Sequence, residues 1–184
     1  MGVPKSLLRV DGRPALEHLV AVLRDAGIER VVVVLGAHAC RIRGATAVPD
    51  AEIVHHTGWA AGRTSSLKAG LDALPDDVDA CVLALVDMPL VRPETVRAIT
   101  AGFAQSDAEV LAPRHGDRHG HPILLDRSVF PAITALGPDE PLRDLLRRRR
   151  RGDVAVDDPG VLVDLDSPED LADRPRISWP DRRG

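Results

Sequence analysis

Short apolar runs alternate along the chain with segments in which apolar residues recur every three or four positions. The clearest runs lie in residues 28–35 and 80–86, and a shorter strand is predicted at 52–56; glycine, proline or aspartate lies close to both ends of each. A run of this length predicts a strand that is buried on both faces. The segments 14–27 and 93–103 predict amphipathic helices. Strands that alternate with helices at this spacing predict an α/β fold, a single Rossmann-like domain with a mostly parallel sheet.

The remaining elements follow from the same patterns. Further strands are predicted at 109–112, 123–125, 154–156 and 161–165, and further helices at 37–44, 128–136 and 141–151. Ser167 as N-cap and Pro168 in the first turn begin a last helix. We expect the domain to cover residues 1–173. Residues 174–184 are polar, contain two prolines and are expected to form a loose tail.

Composition and charge narrow the classes of function. A net charge of −4 argues against a general nucleic-acid binder. Two cysteines, of which Cys81 lies in a predicted core strand, do not predict a disulfide and agree with a reducing cytoplasm. No apolar run approaches the roughly 20 residues of a membrane span, so a membrane partner is not expected.

Asp87 directly follows the apolar run at 80–86, and Pro89 ends the strand because proline has no N–H to donate to a sheet. In open α/β sheets, ligands bind outside the carboxyl ends of the strands. A carboxylate at that edge predicts a metal or phosphate site. A helix-capping or turn aspartate before the proline is the alternative.

Two further segments have residues that are suited to binding an anion. Lys5 is one of two lysines in a chain that otherwise uses arginine, which makes it a candidate point charge for a phosphate. Most lysines, however, are solvated surface residues. Residues 62–67 place glycine and hydroxyl side chains at a helix start, where unpaired N–H groups and the helix dipole favour an anion. A plain Ser/Thr N-cap is the simpler interpretation of that segment by itself.

The segment 114–121 contains three histidines in a polar loop of about eight residues, a length at which loops are often functional. The histidine spacing matches no zinc pattern, which favours a substrate-contacting loop. Asp164 and Asp166 would share one face of a strand and, near Asp87, would hold Mg²⁺ against a triphosphate. Helix-cap chemistry around Ser167 is the alternative. The adjacent residues His55 and His56 alternate across a strand, so at most one of them faces a given site.

Taken together, five of these segments resemble the MobA-like nucleotidyltransferases, especially the molybdenum-cofactor cytidylyltransferase branch, over residues 1–172. Residues 1–5 resemble the end of the family's LAAGxSxRMGxPK motif. Residues 59–67 resemble WxxGMSSSL, with Arg63-Thr64 in place of Met-Ser. Residues 86–89 resemble GDQP or GDMP, residues 118–122 resemble RxGHP, and residues 163–171 resemble DIDTPEDL.

The resemblance implies a nucleotide-diphospho-sugar-transferase-like fold and a defined reaction. CMP, or as second choice GMP, would pass from a nucleoside triphosphate to a phosphate of a molybdopterin-type cofactor, and pyrophosphate would leave. A molybdoenzyme or its chaperone is the implied protein partner. The implied site residues are, for catalysis, Lys5 and Asp87; for the nucleotide, Lys5, Gly62, Thr64, Ser65 and Ser66; for the acceptor, Arg118, Gly120 and His121; and for Mg²⁺, Asp87 and Asp166.

One departure from the family pattern concerns the start of the chain. The family's first strand and glycine-rich loop have no counterpart before Lys5, so we expect an N-terminally truncated sheet whose neighbouring strands lack a partner. Two alternatives follow. One is a relative labelled as an oxidoreductase, similar to nicotine blue oxidoreductase, although no GxGxxG motif supports it. The other is a non-catalytic, nucleotide-binding remnant.

Overall fold

A computed structural model describes residues 3–137, 140–166, 170 and 177–178. Its strands are β1 (Arg9–Val10), β2 (Arg13–Pro14), β3 (Val31–Leu35), β4 (Ala51–His55), β5 (Ala80–Leu83), β6 (Val110–His115), β7 (Arg118–His119), β8 (Ile123–Asp126), β9 (Arg151–Ala155) and β10 (Ile177–Ser178). Its helices are α1 (Ala15–Asp25), α2 (Ala39–Ala45), α3 (Arg63–Asp72), α4 (Pro93–Phe103), α5 (Phe130–Ala135) and α6 (Leu142–Arg147). Short 3-10 turns cover Lys5–Leu7, Trp59–Ala61, Arg127–Val129 and Pro159–Leu162.

The sheets combine parallel and antiparallel pairs. β3 pairs with β4 in parallel, and β6 pairs with β9 in parallel. β8 lies between β5 and β6 and runs antiparallel to both, so β5, β6 and β9 share one direction. Because only residues 116–122 connect β6 to β8, these strands must be antiparallel; a parallel pair needs a crossover of about a dozen residues or more. Among the described residues, β3 and β5 each have a strand partner on one edge only.

This arrangement confirms the α/β class and changes the role of the run at 80–86. The sequence predicts a central strand with parallel neighbours there. In the structure the strand ends at Leu83, and its neighbour β8 is antiparallel. The sequence alone does not show this because the run contains no information about which later segment will lie beside it.

Helices cover both faces of β3. Leu16, Leu19 and Leu23 of α1 pack with Val31 and Val33, as their helical spacing predicts. On the opposite face, α3 lies so close that a Cβ added at Gly70 would be 3.1 Å from Val34. The same helix also packs Leu71 into the core around β6 and β8. α3 therefore spans the two sheets, and its first turn is held at a fixed place relative to β5. Within the described part of the chain, no helix is both long and apolar enough to cross a membrane.

The predicted strand at 161–165 is wrong. Pro159–Leu162 forms a 3-10 turn, and residues 163–166 are irregular. The cause is Asp158, which is 2% exposed. Its carboxylate accepts hydrogen bonds from the Gly160 N–H (2.9 Å), the Arg92 N–H (2.9 Å) and the Thr95 hydroxyl (2.6 Å), and so joins this turn to the start of α4.

The predicted tail at 174–184 is not loose at the two residues that are described. Ile177 and Ser178 pair with β1, and Ile177 is buried beside Val10. Ile177 is an apolar residue within this polar segment, and its burial docks these two residues on the edge of β1. The predicted cap at Ser167 and Pro168, and most of the helix expected after it, lie outside the described residues.

Candidate active site

Three carboxylates meet beside the turn that follows β5. The Asp87 carbonyl accepts a hydrogen bond of 2.8 Å from the Leu165 N–H, which fixes residues 164–166 next to this turn. Leu165 is 1% exposed and lies in the core with Leu8. Asp164 and Asp166 flank this buried residue and are both exposed. One carboxylate oxygen from each aspartate lies within 4.8 Å of one from each of the others.

Lys5 provides the positive charge of this cluster. Its Nζ lies 3.4 Å from Asp87 Oδ2 and 3.8 Å from Asp164 Oδ1, and it donates a hydrogen bond to Asp166. Lys5 begins the 3-10 turn that ends at Leu7, and Leu7 and Leu8 are buried. The core therefore anchors the lysine backbone. We call Lys5, Asp87, Asp164 and Asp166 the acid–lysine cluster.

The pKa values within the acid–lysine cluster shift in opposite directions. Burial lowers the pKa of Lys5, but its hydrogen bond to Asp166 and the charge of Asp87 outweigh burial, so the net shift is upward. The hydrogen bond from Lys5 holds the pKa of Asp166 below its ordinary value. Burial, together with repulsion from Asp87 and Asp166, raises the pKa of Asp164. Asp164 therefore takes up a proton at a higher pH than Asp166 does.

The first turn of α3 lies next to the acid–lysine cluster. Gly62, with φ of 102°, joins the 3-10 turn Trp59–Ala61 to α3. Thr64, Ser65 and Ser66 form the first turn of the helix together with Arg63. The positive charge of Arg63 helps to lower the pKa of Asp166, which indicates that the guanidinium is close enough to act on that carboxylate. The sequence showed Arg63 only as a departure from the family motif, and it gave no reason to place the residue here.

The segment predicted as a histidine-containing loop is a hairpin. β7 pairs with β6 across a turn at Gly116–Asp117. His115 Nδ1 lies 3.1 Å from the Val156 carbonyl, and His119 lies 3.7 Å from Asp153, so these two histidines have separate partners. Arg118 is exposed in β7 and forms no ion pair with the described residues of the acid–lysine cluster. Arg118 is thus the predicted site residue for which the structure shows no link to the others.

Gly120 and His121, which follow this hairpin, are held close to Asp87. A Cβ added at Gly120 would lie 2.0 Å from the Val161 carbonyl oxygen, so only glycine allows this approach. The His121 N–H donates a 3.0 Å hydrogen bond to the same carbonyl. Burial lowers the pKa of His121, and the charge of Asp87 partly opposes that shift. The His121 ring is therefore half-buried and within electrostatic reach of Asp87.

A cavity of about 480 Å³ lies at the carboxyl ends of β3 and β4. Trp59, which is 47% exposed, forms part of its wall. The tryptophan is packed so tightly on Gly36 that a Cβ there would lie 2.4 Å from its own Cβ. The other lining residues are Ala37, His38, Ala39, Cys40, Arg41 and His55. This is the edge of a parallel strand pair at which ligands commonly bind.

The chain is similar in sequence to a guanylyltransferase and to a bifunctional protein. Phosphoenolpyruvate guanylyltransferase from Rubrobacter xylanophilus is 33% identical over 165 residues, which are 85% of this chain and 76% of that protein. The bifunctional protein GlmU from Azorhizobium caulinodans is 35% identical over 131 residues, which are 67% of this chain but 28% of GlmU. The chain thus spans little more than a quarter of that relative.

The fold is also that of a solved protein. Rv0371c from Mycobacterium tuberculosis H37Rv superposes with a TM-score of 0.81 at 30% identity, covering 93% of this chain and 88% of that chain. A second structure of Rv0371c, in complex with manganese, gives a TM-score of 0.78 at 29% identity and covers 91% and 89% of the two chains. Residues 1–154 match the MobA-like NTP transferase domain, and the chain belongs to that family.

Proposed function

We propose that this chain is a divalent-metal-dependent nucleotidyltransferase. It would transfer a nucleoside monophosphate from a nucleoside triphosphate to a phosphate oxygen of an acceptor and release pyrophosphate. The observation that carries the proposal is the acid–lysine cluster, which lies beside the first turn of α3 in a chain of the MobA-like family. This cluster offers carboxylates for a metal, and Lys5 and Arg63 offer positive charge for phosphates.

The donor set suits a hard divalent ion. Mg²⁺ and Mn²⁺ prefer carboxylate oxygens, and Mg²⁺ binds them at about 2.1 Å, so two oxygens on one ion lie at most about 4.2 Å apart. The oxygens of Asp87, Asp164 and Asp166 lie within 4.8 Å of one another, so a movement of at most about 0.6 Å would bring them to that spacing, and they already share one cation, the Lys5 ammonium. These three residues would hold the metal, which would supply charge neutralisation at the phosphates. The manganese complex of Rv0371c supports such a site.

The side chains contribute mainly by position and charge. An acceptor phosphate oxygen forms a new bond to the α-phosphorus, and the bond from that phosphorus to the pyrophosphate oxygen breaks, with its electron pair leaving on pyrophosphate. Lys5 offsets the negative charge of the phosphates. The Thr64 N–H and the hydroxyl of Ser66 would face an anion at the helix start, and Gly62, at which an added Cβ would meet nothing within 4 Å, would leave room for it. Gly120 and His121, with Arg118 at the hairpin, lie on the acceptor side.

CTP as donor and a molybdopterin-type acceptor are the substrates that the family resemblance favours, with a molybdoenzyme or its chaperone as recipient of the product. The guanylyltransferase from Rubrobacter xylanophilus, which matches 85% of this chain, favours a second candidate. In that case GTP is the donor and phosphoenolpyruvate the acceptor. The two candidates share the acid–lysine cluster and differ in base and acceptor.

A pyrophosphate-release assay tests both candidates. CTP, GTP, ATP and UTP are each offered with Mg²⁺ or Mn²⁺ and with either molybdopterin or phosphoenolpyruvate. The active pair of substrates should lose turnover in Asp87→Asn with the circular dichroism unchanged. The matched control is Asp76→Asn, because Asp76 is fully exposed and forms a surface ion pair with Arg127.

Two other results would overturn the proposal. Nucleotide binding without turnover for any acceptor would support the non-catalytic remnant. Oxidation of NADPH in place of pyrophosphate release would support the relative labelled as an oxidoreductase.

A further inference from the structure

His56 forms a contact that no part of the proposed reaction uses. Its Nε2 lies 2.9 Å from the Ser65 hydroxyl, across the loop that joins β4 to α3. The His56 backbone is itself fixed, because its N–H donates a 2.9 Å hydrogen bond to the Leu35 carbonyl at the end of β3. The imidazole thus extends from the sheet to the first turn of α3.

The hydrogen-bond pattern assigns the direction of this contact. The Ser65 hydroxyl lies 2.7 Å from the Gly62 carbonyl oxygen, which can only accept. Ser65 has one hydroxyl hydrogen, which it donates in a hydrogen bond to the Gly62 carbonyl, so its oxygen must accept a hydrogen bond from His56. His56 therefore carries a proton on Nε2. His56 thus donates to the Ser65 hydroxyl, and the Ser65 hydroxyl donates to the Gly62 carbonyl.

This chain of hydrogen bonds ends at a residue with an uncommon backbone. Gly62 has φ of 102° and ψ of 178°, a conformation that L side chains rarely adopt. The ring of His56 also packs against Gly58, where an added Cβ would lie 3.1 Å from Cε1. The loop at 58–62 is therefore held between His56 on one side and Ser65 on the other.

We propose that His56 is a positioning residue for the nucleotide: through Ser65 it holds the Gly62 carbonyl so that the first N–H groups of α3 and the Arg63 side chain face the acid–lysine cluster. The inference rests on the proposed function, in which these groups bind the triphosphate. His56 acts through Ser65 and touches neither substrate nor metal. Binding of the triphosphate precedes transfer and persists through it, so the loss of His56 should raise the KM for the nucleotide more than it lowers kcat.

The variants separate a hydrogen bond from mere packing. His56→Leu removes the donor, and His56→Gln restores an N–H that reaches Ser65. His56→Leu should weaken binding of the preferred nucleoside triphosphate about threefold to tenfold, the range for one lost neutral hydrogen bond. His56→Gln should recover most of it. His18→Gln, on α1, is the histidine control and should bind as the wild type does.

Ser65→Ala tests the path through the serine. If His56 acts through Ser65, the double variant His56→Leu/Ser65→Ala should bind no more weakly than the weaker single variant. Additive losses would mean that the two residues act separately and would overturn the inference. Equal binding by His56→Leu and the wild type would also overturn it.

Two measurements keep these outcomes distinct from failure of the proposed function. Calorimetry on the wild type with CTP, GTP, ATP and UTP shows whether any nucleotide binds; if none does, the proposed function fails and the inference fails with it. Amide hydrogen exchange over residues 58–65 needs no nucleotide. It should quicken in His56→Leu and Ser65→Ala and return to the wild-type rate in His56→Gln. Exchange that is unchanged in His56→Leu would overturn the inference even if the wild type is an active transferase.

Discussion

Replacing Gly120 with alanine should damage both the stability of the protein and the acceptor side of the site. The new Cβ would lie 2.0 Å from the Val161 carbonyl oxygen, whereas ordinary contact begins at 3.4 Å. The two backbones must therefore separate by the difference, 1.4 Å. No side-chain rotation can relieve this clash, because the opposing atom belongs to the main chain.

The magnitude follows from two effects. Forcing an extra methyl group into a packed site costs about 1–3 kcal/mol. Separation of the segments also weakens the hydrogen bond from the His121 N–H to the Val161 carbonyl, which is worth about 1 kcal/mol. Together they lower the free energy of unfolding by about 2–4 kcal/mol, which corresponds to a fall in Tm of about 4–16 °C for a chain of this size.

Thermal unfolding by circular dichroism measures this change. Gly44→Ala is the matched control, since Gly44 lies inside α2 and a Cβ there would meet nothing within 4 Å. Alanine in a helix is favoured over glycine by about 0.5–1 kcal/mol, so the control should raise Tm slightly. In the pyrophosphate assay, Gly120→Ala should also raise the KM for the acceptor. A Tm equal to that of the wild type would refute the close approach of Gly120 to Val161.

The remaining predictions concern charged residues. Asp158→Ala leaves three donors without their acceptor and should lower the free energy of unfolding in urea by about 2–5 kcal/mol. Asp87→Asn should abolish metal-dependent pyrophosphate release; wild-type turnover would contradict the assignment. Metal affinity measured by calorimetry should fall as the pH drops through the raised pKa of Asp164, because a protonated carboxyl no longer binds the ion. In Lys5→Gln, the pKa of Asp166 should rise towards its ordinary value in a carbon-13 NMR titration; an unchanged value would exclude the ion pair.

The sequence predicts the elements that depend on short-range patterns. Helix α1 begins and ends close to its predicted bounds because its leucine spacing and Gly27 act within a few residues of one another. The turn at Asp11–Gly12 likewise depends on two adjacent residues, because both tolerate positive φ. The alternation of Asp164 and Asp166 around Leu165 predicts that both carboxylates share a side, and this holds although the segment is not a strand.

Tertiary structure decided what depends on residues far apart in the chain. Nothing near residue 80 indicates that β8 will pair with β5, and the strand order follows from contacts across 40 to 46 positions. The Asp87 carbonyl reaches the Leu165 N–H only because the core buries Leu165, and this bond brings Asp164 into the cluster as a third carboxylate.

Sequence and structure therefore contribute different parts of the site. By itself the sequence determined the α/β class, the family and the grouping of Lys5, Asp87 and Asp166 as candidates, because motifs and periodicity are local. The structure decided that His56 supports Ser65, that Asp158 joins two segments 66 positions apart, and that Arg118 stays on an exposed hairpin. Those contacts are set by how the sheets and helices pack, and packing joins residues whose order along the chain does not bring them together.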